Sequence, residues 1–154
     1  MKKIFIPFAF LLVLFACSTD IDQELETTPV SIETKIIAQS NLYGGGAEGI
    51  SKDRLIIKNE SDWNELISKI NSVNAETDNF SETNIDFNTH QIIAVFDDIK
   101  STGGYSMEMI VTKSNQQIIA KVTSKGFEGA AITVITQPYL IVRIPQSDMP
   151  VVFQ

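Results

Sequence analysis

The sequence contains very little of the residue types that most often carry catalysis and metal binding. Among its 154 residues there is one cysteine, Cys17, and one histidine, His90. A single cysteine excludes an intramolecular disulfide, so burial of apolar side chains must hold the fold together. One histidine without further thiols also falls short of the ligands of a zinc site. We therefore expect no metal ion in this protein.

The remaining candidates for catalysis are isolated from one another in the sequence. His90 precedes an apolar strand-like run, and no nucleophile-elbow motif accompanies it. Asp97 and Asp98 are adjacent, so on extended backbone their side chains point to opposite faces, which suits neither an acid–base pair nor an EF-hand. We interpret both as solvated residues at the end of a strand. The sequence thus predicts a protein that is not an enzyme and has no catalytic residues.

The first residues have the pattern of an export signal. Lys2 and Lys3 precede 13 uncharged, mostly apolar residues from Ile4 to Ala16, and Cys17 follows. A membrane-spanning helix needs roughly 20 apolar residues, whereas this length is typical of a signal peptide. Leu-Phe-Ala-Cys, ending at Cys17, resembles the lipobox of bacterial lipoproteins. We predict a signal peptide over residues 1–16 and a covalent lipid on Cys17.

Removal of the signal makes the chain strongly acidic. Without Lys2 and Lys3, 10 of the 12 basic residues remain against 19 acidic ones, a formal charge of −9. Such a surface repels phosphate backbones and anionic lipid headgroups. We therefore expect no nucleic-acid partner, and membrane attachment through the lipid anchor alone. The predicted location is the cell envelope, at the outer membrane, facing the periplasm or the cell surface.

The mature chain divides into a tether and one domain. Residues 17–40 begin with an acidic stretch that has too few apolar residues to form a core, and we predict a tether there. An alternative interpretation of its acidic residues is a sorting signal after the acylated cysteine. Residues 41–154 are long enough for one domain without metal or disulfide.

Hydrophobic periodicity predicts an α+β fold. A helix capped by Asp62 presents Trp63, Leu66, Ile67 and Ile70 on one face and ends near Asn71. Most of the other periodic segments are strand-like, including the buried run 91–96, the alternating run 105–112 and two closing strands at 132–136 and 139–144 separated by Pro138. We expect a mostly antiparallel sheet or sandwich with one amphipathic helix packed on it.

Two glycine motifs stand out. Gly44-x-Gly46-x-x-Gly49 matches the dinucleotide fingerprint, but a strand-like segment follows it where the fingerprint requires a helix. We interpret it as a loop and expect no nucleotide. Thr102-Gly103-Gly104-Tyr105 lies directly before a strand, and here two interpretations stay open. It is either a tight connection with a core tyrosine or a turn that offers backbone and an aromatic ring to a partner.

This second motif carries a family resemblance. Thr102-Gly103-Gly104-Tyr105, with Asp86-Phe87 before it and Gln137-Pro138-Tyr139 after it, resembles the C-terminal domain of PrcB-type protease-complex subunits. The similarity runs from about Gly46 to Pro145. Ser101 departs from the pattern, since such domains often carry proline there.

The resemblance implies a non-catalytic lipoprotein that assembles with or stabilises an exported protease. It places partner-binding residues at Thr102, Gly103, Gly104 and Tyr105, with Pro138 and Tyr139 as neighbours and Phe127 as an addition. One alternative is inhibition, because a Thr-Gly loop before an aromatic also resembles chagasin-like protease inhibitors. Another is a structural or small-ligand-binding envelope lipoprotein without a protease partner.

Lipidation at Cys17 is testable directly. Cys17→Ser removes the thiol on which the diacylglycerol thioether forms, so we expect unprocessed precursor to accumulate. Metabolic labelling with a radioactive fatty acid, followed by electrophoresis, measures this. Normal maturation of Cys17→Ser would contradict the assignment.

Overall fold

The computed structural model describes residues 28–126, 129 and 132–154. Cys17, the predicted signal peptide, the first part of the predicted tether and Phe127 lie outside these residues. The described elements are β1 (Val30–Ser31), β2 (Lys35–Leu42), β3 (Asp53–Ile57), α1 (Glu60–Ile70), a 3-10 helix (Glu76–Asn79), β4 (His90–Phe96), β5 (Ser106–Lys113), β6 (Ile118–Lys125), β7 (Gln137–Pro145) and β8 (Val151–Phe153).

The strands form two sheets that stack as a sandwich. Sheet I has the order β1-β5-β6-β8, and sheet II has the order β2-β7-β4-β3. All pairings are antiparallel except that of β8 with β6. Helix α1 packs on the outer face of sheet II. The α+β prediction of mostly antiparallel sheets with one helix is confirmed.

Sheet II is buried on both faces, which explains the long apolar runs in β4 and β7. Ile93 and Val95 point between the sheets, where they meet Met107 and Val111 of sheet I. Alternate residues of β4 point the other way and pack with Trp63 and the rest of the apolar face of α1. Because successive side chains alternate between faces, a strand between two cores is apolar at nearly every position, and the buried Gln91 is the exception in β4. The run 91–96 is such a central strand, as predicted.

Helix α1 is built largely as its periodicity indicates. Trp63, Leu66 and Ile70 are buried, and Lys69 forms an ion pair of 2.7 Å with the exposed Glu65. The predicted N-cap is wrong by one turn. Asn59 caps the helix, since its Oδ1 accepts a hydrogen bond from the Asp62 backbone N–H at 2.9 Å.

The folded domain begins before the predicted boundary at residue 41. Residues 35–42 form β2, which pairs with β7 along most of its length, and β1 pairs with β5. Ile37 and Leu42 of β2 are buried in the core beneath α1. Residues 30–31 and 35–40 therefore belong to the sheets rather than to a tether.

The closing strands differ from the prediction. Residues 132–136 do not form a strand and make only an isolated bridge between Thr136 and Lys100. Pro138, predicted to break the chain between two strands, lies inside β7 opposite Asp97. The Asp97 backbone N–H donates to the Pro138 carbonyl at 2.9 Å, and proline has no N–H to return the bond.

The side chain of Gln137 replaces this missing donor. Its Nε2 donates to the Asp97 carbonyl at 3.0 Å and to the Ile50 carbonyl at 3.0 Å. Gln137 is 1% exposed, so neither bond is exchanged readily for one with water. A buried amide thus allows a proline to occupy a central strand.

Gln137→Ala tests this compensation. We expect a loss of about 3 kcal/mol in the free energy of unfolding, because two buried carbonyls lose their donor. In a Pro138→Ala background the alanine N–H can donate to Asp97, so the same substitution should cost less. Urea unfolding of the four proteins of this cycle measures the difference. An equal cost in both backgrounds would contradict the compensation.

Candidate functional site

Six strand ends meet at one end of the sandwich, which we call the loop end. Strands β2, β4 and β6 end there, and β3, β5 and β7 begin there. The connecting segments are residues 43–52, 97–105 and 126–136. A hydrogen bond of 3.1 Å from Asn41 Nδ2 to the Tyr105 carbonyl joins the two sheets at this end. The loop end therefore brings together segments that are distant in sequence.

The first half of the Thr-Gly-Gly-Tyr motif is held in place by the segment 132–136. Thr136 Oγ1 donates to the Thr102 carbonyl at 3.0 Å, and the Gly103 N–H donates to the Ile132 carbonyl at 3.1 Å. Gly103 is buried, and a Cβ there would approach Val134 Cγ1 to 3.0 Å. This half of the motif is a tight structural connection.

The second half of the motif is more accessible. Gly104 is exposed and has φ of +87°, a conformation that favours glycine. Tyr105 is half-buried, and Lys100 Nζ lies 5.4 Å from the centroid of its ring. The turn is thus tightly packed, and its last two residues reach the surface; that they contact a partner stays a prediction.

Pro138 and Tyr139 do not join this surface. Both are buried, and Tyr139 is 1% exposed, with its ring stacked on Phe96 at a centroid distance of 5.8 Å. Burial raises the pKa of the Tyr139 hydroxyl. The prediction that these residues contact a partner is corrected accordingly, because their side chains belong to the core.

Three isoleucine side chains at the loop end are exposed, and we call them the isoleucine patch. Ile99 is 47% exposed, Ile132 is 72% exposed and Ile135 is 54% exposed. The glycine loop lies against two of them, since a Cβ on Gly46 would lie 2.7 Å from Ile99 Cδ1 and one on Gly45 would lie 3.6 Å from Ile135 Cγ2. The lack of a side chain at Gly45 and Gly46 therefore leaves space for Ile135 and Ile99. A strand, β3, and not a helix follows the glycine motif, which agrees with its interpretation as a loop.

Asp97 connects the bases of the loops. It is 7% exposed, so its interpretation as a solvated residue is wrong. Its carboxylate accepts hydrogen bonds of 2.8 Å from Ser124 Oγ and from the Asp98 N–H. It also forms ion pairs with Lys100 at 3.1 Å and with Lys52 at 3.5 Å. The Asp97 carboxylate thus contacts Lys52 in segment 43–52, Lys100 in its own segment 97–105, and Ser124 in β6, the strand that leads into segment 126–136.

These contacts determine the protonation of Asp97. Burial by itself raises the pKa of a carboxyl group, but the hydrogen bonds from Asp98 and Ser124 and the contact with Lys100 outweigh it and lower the pKa to about 2. Asp97 is therefore ionised at neutral pH. Such a group is a poor general acid, and its role in this arrangement is structural.

A cleft of about 420 Å³ opens beside Asp97 between the two sheets. Val95, Met107 and Val122 contribute apolar surface, and Lys52 and Arg54 lie at its edge. Asp53 and Asp97 also line the cleft, so the formal charges of its lining residues cancel. The small-ligand alternative would use this cleft. Among the described residues, no group of three or more His, Cys, Asp or Glu side chains is arranged to hold a metal ion.

Comparison of the chain with family models, with curated proteins and with solved structures gave no match. In the part of the chain that the structure describes, no helix is long and apolar enough to cross a membrane.

The sequence did not reveal the isoleucine patch or the role of Asp97. The sequence predicts a strand at 132–136, whereas Ile132 and Ile135 lie outside any strand and are exposed. The available signal was the isolated Ile99, an apolar residue within the polar run from Asp97 to Thr102. The pairing of Lys100 with Thr136, which exposes these side chains, is a long-range contact without a local pattern.

Asp97→Asn should make the free energy of unfolding depend less on pH in the acid range. A carboxyl group with a folded pKa of about 2 and an ordinary value of 3.8 stabilises the fold fully above pH 4, and the contribution disappears as pH falls toward 2. We expect the variant to lose about 2 kcal/mol at pH 7 and to approach the wild type near pH 2. Urea unfolding as a function of pH measures both.

Asp98→Asn is the matched control, because Asp98 is exposed and has a single ion pair with Lys52. It should change stability little at any pH. A constant gap between Asp97→Asn and wild type from pH 7 to pH 2 would contradict the assignment.

Proposed function

We propose that this protein is a non-catalytic lipoprotein of the cell envelope that binds an exported protease, or another envelope protein, through its loop end. Cys17 anchors it to the membrane, and the folded domain serves as an accessory or stabilising subunit. The proposal combines the lipobox pattern, the resemblance to PrcB-type protease-complex subunits and the surface of the loop end.

The observation that carries the proposal is the exposure of Ile99, Ile132 and Ile135 at one end of a rigid sandwich. Exposed apolar side chains grouped on a protein surface often mark sites of protein association. The exposed Gly104 and the half-buried Tyr105 lie at the same end, where an aromatic residue beside accessible backbone suits an interface. The patch is therefore the best candidate for the centre of a contact.

The electrostatics of the loop end support binding rather than acid–base chemistry. Asp97 is ionised at neutral pH, and its carboxylate is engaged by Lys52, Lys100 and Ser124. These partners fix the bases of the loops before a partner arrives. A preorganised surface loses less conformational entropy on association.

Ile132→Ser tests the proposal, and the chain offers a matched control. Ile110 is 63% exposed on β5, away from the loop end, so Ile110→Ser removes the same apolar area elsewhere. We expect crosslinking and affinity purification from native envelopes to recover one exported protein with wild type and with Ile110→Ser. Ile132→Ser and Tyr105→Ala should recover several-fold less of it.

Thermal unfolding of each variant shows whether it is folded. Equal recovery with the Ile132 and Ile110 variants, both folded, would contradict a role of the loop end. If the recovered partner has no protease sequence features, the proposal that the loop end binds an envelope protein stands, and the proposal that this partner is a protease is contradicted.

A further inference from the structure

A groove of about 400 Å³ runs between β3 and α1. Strand β3 is an edge strand of sheet II, since among the described residues it pairs with β4 alone. Leu55, which is half-buried, and the buried Leu66 of α1 provide apolar surface in the groove. An edge strand beside a helix is a place where an extended peptide can add to a sheet.

The edge of β3 presents backbone groups to this groove. Asp97 donates its N–H to the Pro138 carbonyl of β7, so alternate residues of β4, including Val95, also face β7. The backbone of Arg54, which lies opposite Val95, therefore points outward, and its N–H donates to the Asp53 Oδ1 at 2.7 Å. In an antiparallel ladder, alternate residues point to the same side, and Ile56 shares this orientation. The strand thus offers the N–H and carbonyl of Ile56 to an added strand.

The charges around the groove select its occupant. Its lining includes the carboxylates of Asp53, Asp62 and Glu65 and the ammonium group of Lys69, a formal charge of −2. Lys69 is already paired with Glu65 at 2.7 Å. Arg54, over the ring of Phe153, and Lys58, bonded to the Ser147 carbonyl, lie on the opposite face of β3. A segment with basic side chains on the face toward α1 is therefore favoured, and the acidic residues at positions 20–26 of this chain are repelled from that face.

A second copy of the chain is also disfavoured. Antiparallel pairing of β3 with itself about Ile56 would place Arg54 opposite Lys58 twice. Pairing about Arg54 would place that residue opposite itself, and pairing about Leu55 would place Lys52 opposite Lys58 twice. Like charges directly opposite one another destabilise a strand pair. The remaining occupant is a segment of a different polypeptide.

We propose that β3 and α1 bind an extended, basic segment of a partner protein, which adds to sheet II as a further strand. Its backbone bonds with Ile56, an apolar side chain packs between Leu55 and Leu66, and lysine or arginine side chains face Asp62 and Glu65. This surface is separate from the isoleucine patch, and the inference does not depend on the loop end binding a partner.

The experiment is a selection of random linear peptides displayed on phage against the purified mature domain, followed by binding of the enriched synthetic peptides. We expect peptides in which the alternate residues that face α1 are apolar or basic, and protection of the Ile56 amide from hydrogen exchange. Glu65→Lys should weaken binding by about tenfold. Glu60→Lys, the same charge change on the same helix outside the groove, should leave it within about twofold.

Failure to enrich peptides would overturn the proposal. So would peptides that bind Glu65→Lys as tightly as wild type, or that leave the Ile56 amide unprotected. Peptides whose binding is lost in Ile132→Ser but retained in Glu65→Lys would assign recognition to the loop end instead and leave the proposed function intact.

Discussion

The end of β4 is fixed by Asp97, which is bound through its backbone and its side chain at once. Its backbone N–H donates to the Pro138 carbonyl, and its carbonyl accepts from the Gln137 side-chain amide. Both bonds continue the ladder between β4 and β7. Its carboxylate bonds to Ser124 of sheet I and pairs with Lys52 and Lys100. The two sheets and the loops between them therefore share one buried charge. Because a buried carboxylate is costly unless it is paired and hydrogen-bonded, all of these contacts must form together.

This arrangement allows the loop end to carry exposed apolar residues. Loops with glycines would otherwise collapse around isoleucine side chains to bury them. Here Lys100 pairs with Thr136 through two backbone hydrogen bonds, and Gly103 bonds to the Ile132 carbonyl. The backbones of residues 99–103 and 132–136 are thus held against each other, and Ile99, Ile132 and Ile135 remain outside. Rigidity at the base and exposure at the tip are the combination that an interface requires.

The sequence predicted the parts of the fold that are governed by local periodicity. Trp63, Leu66 and Ile70 recur at helical spacing, and the run 91–96 has the length and composition of a central strand. Periodicity could not distinguish residues 132–136 from a strand, because their backbone orientation depends on a partner 36 residues away, Lys100 for Thr136. Pro138 was misjudged for a similar reason, since only the fold shows that the Gln137 side chain supplies the missing donor.

The candidate site was predicted in part. The motif at Thr102–Tyr105 does lie at the loop end, whereas Pro138 and Tyr139 are core residues. Asp97 was misjudged because burial of a charge depends on partners from β6 and from the segment before β3, which no spacing rule connects. The lipid anchor on Cys17 and the partner at the loop end remain predictions of the sequence and of the surface.

Site-specific photocrosslinking in living cells tests the central claim most directly. A photoreactive phenylalanine analogue would replace Ile135 in one strain and Ile110 in another, and illuminated envelopes would be separated by electrophoresis. The result we expect is one discrete adduct from position 135 and none from position 110. No adduct from position 135, or the same adducts from both positions, would contradict binding at the loop end.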